Sequence, residues 1–139
     1  MPSDFLLSPA PLDLAALLAG LHGPETGAVV IFSGVVRDHN EGRRVIRLEY
    51  EAYETMAVTQ LSALAAALKT EFSLTAVRIH HRIGAVALGE SALLAATAAP
   101  HRKAAIAAMD ALVDRLKREV PIWKKEYFAG GEVWVGPQK

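Results

Sequence analysis

The sequence predicts an α+β fold in one domain, on three observations. Two long stretches, Glu54 to Phe72 and about Arg102 to Arg118, carry apolar residues at helical three- and four-residue spacing. The shorter stretches around them are β-branched or alternate apolar with polar residues, as strands do. Helices and strands follow one another irregularly, which favours α+β packing over a doubly wound sheet.

Phe5-Leu6-Leu7 reads as a short first strand, and Leu12 to Leu21 has helical spacing that ends at Gly23-Pro24. Gly27 to Arg37 is apolar and β-branched, a buried strand. Asp38-His39-Asn40-Glu41-Gly42 is a turn-rich loop. Val45 to Tyr53 alternates as a half-buried strand with Ile46, Leu48 and Tyr50 on one face. The helix from Glu54 offers Met56, Leu61, Leu64 and Leu68 to a core. Leu74 to Ile83 alternates again, Gly84 and Gly89 bracket a short segment, and Ser91 to Ala99 is a strand. The second long helix aligns Ala105, Met109, Leu112, Leu116 and Val120 on one stripe before Pro121 ends it. Ile122 to Phe128 and Glu132 to Val135 close the chain as strands joined through Gly130-Gly131.

With 139 residues, of which 52% are hydrophobic, residues 1–139 suffice for one domain with its own core and argue against disorder. No apolar run is long and clean enough to span a bilayer, and Met1-Pro2-Ser3-Asp4 lacks the pattern of a secretion signal, so a cytoplasmic protein is the simplest expectation. Lys/Arg and Asp/Glu balance at 15 each, which does not indicate bulk nucleic-acid binding, and aromatics at 6% make a single-strand RNA platform a poor reading. The balance conceals an asymmetry. Residues 101–125 hold seven Lys/Arg against three Asp/Glu, so a +4 patch sits in a chain whose remainder carries −4, and a small anion or an acidic partner is expected there. With no cysteine, thiolate nucleophiles and Cys-ligated zinc are excluded, and any sulfur handled by the protein arrives on another molecule.

Four features could carry chemistry. His101-Arg102-Lys103 opens a helix whose N-terminal end already bears positive partial charge, a conflict that a bound phosphate or carboxylate resolves; a solvated basic helix end explains it equally well. Lys117 follows Asp114 by three residues, so a surface ion pair is the simpler account of it. Lys124 lies in a strand between Trp123, expected to be buried, and Lys125; crowding by cations or burial lowers a lysine's pKa and frees the amine as base or nucleophile. The segment Gly34 to Gly42 loosely suggests a phosphate loop but lacks the Gly-Lys-Ser/Thr ending, although Arg37 could point into a site at the strand end. No metal site is expected. His80 and His81 are adjacent and face opposite sides of a strand, while His39 and His101 have no partner at ligand spacing. Arg102 and Lys117 lie at opposite ends of one helix, roughly 22 Å apart at the standard rise, so a site using both needs two chains in an isologous dimer.

Together these motifs resemble the MoaE family, the large catalytic subunit of molybdopterin synthase. The resemblance runs from about Gly27 to Trp134. It is carried by the Gly34–Gly42 segment, by Leu48-Glu49-Tyr50-Glu51-Ala52-Tyr53 with Met56-Ala57, and by His81-Arg82-Ile83-Gly84 with Gly89-Glu90. It continues through His101-Arg102, Leu116-Lys117 and Val120-Pro121-Ile122-Trp123-Lys124-Lys125-Glu126. It implies an α/β-hammerhead type of α+β fold with a mixed or antiparallel sheet and packed helices. It further implies a homodimer within a heterotetramer, flanked by two small ubiquitin-like sulfur-carrier subunits whose C-terminal Gly-Gly bears a thiocarboxylate. The implied reaction is a sulfurtransferase step on cyclic pyranopterin monophosphate, without a cofactor of the protein's own. By this resemblance Lys117 and Lys124 are the catalytic lysines, with Lys124 also positioning the tail. Arg37, His101 and Arg102 hold the substrate phosphate, the last two donated by the other chain, and Phe32 belongs to the wall around the tail. The family often places an arginine a few residues beyond the last tryptophan; here Gln138 stands at that place and Lys139 follows. The competing reading is a non-catalytic anion-binding scaffold built on the same basic patch. Such a scaffold would tolerate arginine at 117 and 124, where an enzyme would not.

Overall fold

The structure, a computed structural model, describes residues 4–40 and 42–135, so the expectation for Gln138 and Lys139 lies outside the described residues. Its elements are β1 (Phe5–Ser8), α1 (Leu14–Leu18), β2 (Ala28–Val35), β3 (His39–Asn40), β4 (Arg43–Ala52), α2 (Glu54–Phe72), β5 (Ala76–Arg82), β6 (Gly84–Ala87), β7 (Ser91–Ala99), α3 (Arg102–Glu119), β8 (Ile122–Phe128) and β9 (Gly131–Val135). Two sheets result. The first runs β1-β5-β7-β2, with β1 parallel to β5 and the other pairs antiparallel. The second runs β3-β4-β8-β9, all antiparallel, with β6 also paired to β4. This is the α+β arrangement that the irregular element order predicts.

The first sheet is covered on both faces. Residues of one parity on β5 and β7 (Val77, Ile79, Leu93, Ala95, Ala99) meet α2 and α3 through Leu61, Leu64, Leu68, Ala105, Met109 and Leu112. The other parity (Leu94, Ala96, Ala98) meets Leu17 and Leu21 around α1. The expected half-buried alternation of the Leu74–Ile83 segment therefore gives way to a strand buried on both sides. Small side chains along β7 let helices approach from either face, and each large aliphatic sealed there contributes about 1.5–3 kcal/mol. Thr97 Oγ1, wholly buried, donates to the Ala105 carbonyl at 2.8 Å, so the core holds that hydroxyl satisfied.

Three local expectations change. The first helix is only Leu14–Leu18. Asp13 caps its start, Gly20 takes a left-handed φ of 66°, and the buried Arg78 guanidinium collects the Leu17 and Ala19 carbonyls that a longer helix would use. On β4 a register shift between Val45 and Arg47 turns Ile46 out to solvent and buries Val45 with Leu48. On α2 the buried stripe is Ala57, Leu61, Leu64, Ala65 and Leu68, which leaves Met56 exposed. The stripe of α3 is the one the spacing predicts, with Ala105, Met109, Leu112, Leu116 and Val120 all buried. The 38–42 loop also contains the two-residue strand β3, paired to the start of β4.

Among the described residues no helix is long and apolar enough to cross a membrane, and no three His, Asp or Glu side chains gather where a metal ion could be held. The tightest backbone approach is at Gly27, whose amide donates to Ala99 O at 2.9 Å; an added Cβ would lie 2.0 Å from the Pro100 carbonyl oxygen. Gly27→Ala is expected to destabilise the fold by about 1–3 kcal/mol in urea denaturation. Gly23→Ala, where a Cβ meets nothing within 4 Å, should shift the midpoint little.

Candidate active site

A cavity of about 450 Å³ opens between the end of β2, the C-terminal turn of α3 and the face of the β4–β8 pair. Its floor is apolar. Val36, Val45, Leu48, Val86 and Ala92 form a separate cluster against which Tyr50 packs, and all but Val86 line the cavity. Its wall includes Phe32, whose ring lies so close to Gly34 that a Cβ there would sit 3.2 Å from it.

Each polar side chain is delivered by local geometry. Arg37 follows β2, where the backbone is pinned by Val36 N to Glu90 O at 2.9 Å and Gly89 N to Val36 O at 2.8 Å. Lys117 stands in the last turn of α3, where the helix dipole favours a cation and buried Leu116 and Val120 fix the orientation of the turn. The expected pair with Asp114 is not made: Asp114 binds Arg118 at 2.6 Å, and among the described residues Lys117 has no carboxylate partner. On β8, Lys124 pairs across the ladder with Tyr50 and Glu126 with Leu48, so all four share the cavity face.

Lys125 takes the opposite face, where it binds Glu132 at 3.1 Å and lies near the Tyr127 and Trp134 rings. The expected crowding of Lys124 by Lys125 is therefore corrected. Lys124 instead meets a carboxylate, with Nζ 3.6 Å from Glu126 Oε2. Trp123, expected to be buried, is only partly so and stands edge-on to Tyr53, with ring centroids 5.2 Å apart.

Two further groups escaped the sequence reading. Glu126 is 7% exposed and accepts hydrogen bonds from Asn40 Nδ2 at both carboxylate oxygens, 2.9 and 2.7 Å. The i,i+2 spacing from Lys124 on a strand is the signal that could have found Glu126; nothing local points to Asn40. His81 lies at the cavity floor, edge-on to Tyr50 with centroids 5.0 Å apart. Its Nδ1 faces the Arg82 carbonyl at 2.7 Å, and since a carbonyl only accepts, Nδ1 carries the proton and Nε2 is the acceptor. Burial pushes His81 down to about 4, against the opposing effect of that hydrogen bond, and burial with the nearby Glu126 charge pushes Tyr50 up to about 12. The cavity thus has a neutral floor beneath a charged rim at neutral pH.

The structure gathers Phe32, Arg37, Lys117 and Lys124 around one cavity. His101 and Arg102 are exposed at the far end of an unbroken 18-residue helix and line no part of it. That helix starts without a side-chain cap and without an acidic residue in its first turn.

The shift at His81 makes stability pH-dependent. The unfolded imidazole takes a proton near pH 6.5 and the folded one only near pH 4, so the unfolded state binds more protons between those values. Stability should be complete above pH 6.5 and fall by ~3 kcal/mol as pH drops toward 4. Urea unfolding across this window should show the slope, and His81→Gln should flatten it.

The MoaE protein family matches residues 7–119. A relative from Bacillus subtilis (strain 168), a molybdopterin synthase catalytic subunit, is 40% identical over 134 residues, covering 96% of this chain and 85% of that one. The crystal structure of molybdopterin synthase from Staphylococcus aureus superposes with a TM-score of 0.92 at 35% identity, covering 96% of this chain and 98% of the other. A chain from the complex of subunits 1 and 2 of the molybdopterin-converting factor of Helicobacter pylori 26695 shares the fold with a TM-score of 0.77 at 21% identity, covering 96% and 90%. The chain belongs to the MoaE family and is an enzyme of the molybdopterin synthase type.

Proposed function

We propose that the enzyme is a sulfurtransferase that converts cyclic pyranopterin monophosphate to molybdopterin, taking two sulfurs, one from the thiocarboxylated C-terminus of each of two copies of a small ubiquitin-like partner. The observation that carries this reading is the convergence of Lys117, Lys124, Arg37 and Phe32 on one cavity in a chain that contains no cysteine. A cysteine-free site cannot form a persulfide of its own, so the sulfur comes from outside, and an open 450 Å³ cavity with an apolar wall suits an extended tail. The relatives' standing as catalytic subunits and the Helicobacter pylori complex of two subunits support a small protein as donor.

In this reading the tail lies along Phe32 with its thiocarboxylate at the lysines. Lys117, unpaired among the described residues, assists at the reacting carbon or thiocarboxylate as base or transient nucleophile. Lys124 positions the tail and stabilises negative charge as it develops, while Glu126, held by Asn40, fixes the direction of the lysine. Arg37 binds the phosphate together with His101 and Arg102 of a second copy, because within one chain the helix keeps those two residues about 22 Å from Lys117. The working assembly is then a homodimer carrying two partner subunits, acting in the cytoplasm.

The test is a reconstituted reaction with a thiocarboxylated partner and cyclic pyranopterin monophosphate, read as dithiolene product. Lys117→Ala and Lys124→Ala should each lower turnover by about 10²–10⁴-fold with partner binding retained. Lys117→Arg should bind the partner and fail to turn over, since the guanidinium does not supply a neutral amine, and Lys124→Arg should bind and fail because its planar fork places the charge differently from the compact ammonium held at Glu126. Full turnover in both alanine variants with intact partner binding would sink the assignment, and a stable complex without product from the unaltered enzyme would point to a scaffold.

A further inference from the structure

Arg82, at the end of β5, is 4% exposed, a permanent charge taken almost wholly out of water. Its Nη2 donates to the Ala85 carbonyl at 2.9 Å and to that of Pro9 at 3.3 Å, while Nε and Nη1 make no hydrogen bond among the described residues. Its counter-charge there is Glu90, with Oε1 3.6 Å from Nη1. A buried guanidinium left without a carboxylate is costly, so the pair holds the Glu90 side chain in place.

The same oxygen closes a turn. Glu90 Oε1 accepts from Ala87 N at 2.8 Å, and Glu90 N donates to Ala87 O at 3.1 Å, with Gly89 between them at a left-handed φ of 83°. This turn meets the end of β2. That strand lies at the edge of its sheet, and its ladder with β7 shifts register between Gly34 and Val35 and stops at Val35. From there the turn takes over, since Val36 N donates to Glu90 O at 2.9 Å and Val36 O accepts from Gly89 N at 2.8 Å. The second bond orients the planar peptide that joins Val36 to Arg37, and Arg37 lines the cavity. Glu90 itself lines no part of that cavity, so an influence on the site passes through the backbone.

We propose that Glu90 is a positioning residue for Arg37: its carboxylate, held by the buried Arg82, locks the 87–90 turn whose backbone sets the direction in which Arg37 leaves β2. The inference rests on the functional reading above only for what Arg37 binds. A carboxylate that merely closed a turn would change stability and leave substrate binding alone, and the experiment separates the two.

It compares the unaltered enzyme with Glu90→Ala, Glu90→Gln, Arg37→Ala and the double variant Arg37→Ala/Glu90→Ala in the reconstituted reaction. Glu90→Ala should raise the KM for cyclic pyranopterin monophosphate about fivefold, with kcat and the KM for the partner changed less than about twofold. Glu90→Gln keeps an oxygen that accepts from Ala87 N, so it should recover most of that loss while unfolding at lower urea, because Arg82 loses its counter-charge. In the double variant the KM should equal that of Arg37→Ala, since a residue that acts through Arg37 then has nothing to position. Amide hydrogen exchange without substrate should be about tenfold faster at Val36 and Gly89 in Glu90→Ala. An unchanged KM in Glu90→Ala would overturn the proposal, as would a further rise of about fivefold in the double variant. A KM in Glu90→Gln as high as in Glu90→Ala would do the same. If the unaltered enzyme makes no product, the functional reading fails, and the exchange rates decide the clamp by themselves: unchanged protection at Val36 and Gly89 would sink it.

Discussion

The site depends on the alternation of side chains along β8, fixed by its pairing with β4. That register sends Lys124 and Glu126 to the cavity and Trp123, Lys125 and Tyr127 to the other face. A slip of one residue would put Lys125 in the cavity and leave Asn40 without the carboxylate it holds. The opposite face helps to hold the register through Lys125 with Glu132, Arg47 stacked on Tyr127, and Tyr127 OH donating to Glu49. These are modest contacts one by one. Their alignment along a single face makes the correct pairing the one in which charged groups find partners and Leu48 and Tyr50 find the floor.

The buried carboxylate at the centre of this arrangement is a liability that its neighbours resolve. Removing a carboxylate from water is costly unless hydrogen bonds and a cation replace the lost solvation. Asn40 supplies the hydrogen bonds and Lys124 the charge, which ties a loop residue to a lysine 84 positions later in the chain. Arg37, Lys117 and Arg43 at the rim receive no such compensation among the described residues, and that contrast separates groups that are already satisfied from groups available to a ligand.

Much of this was legible in the sequence. The stripe from Ala105 to Val120 marked the core face of α3, and the alternation of helices and strands indicated the fold class. Lys117, Lys124, Arg37 and Phe32 were named from motif resemblance, and they line one cavity. What sequence could not supply was set by contacts between distant segments. Arg78 shortens the first helix by taking its terminal carbonyls, the register shift after Val45 turns Ile46 outward, and Asn40 matters only because the β3–β4 hairpin brings its side chain to Glu126. The pairing of Lys117 with Asp114 followed from a local rule and failed because Arg118, at four residues instead of three, reaches that carboxylate.

The length of α3 sets the remaining constraint, since it holds the basic residues at its start about 22 Å from Lys117. The claim that a complete site needs two chains is tested most directly by mixing two inactive variants, Lys117→Ala and Arg102→Ala, under conditions that exchange subunits, and assaying dithiolene formation. In a mixed dimer one of the two sites regains both residues, so random pairing should restore about a quarter of the unaltered activity. A mixture no more active than its components, with subunit exchange demonstrated, would contradict the two-chain site.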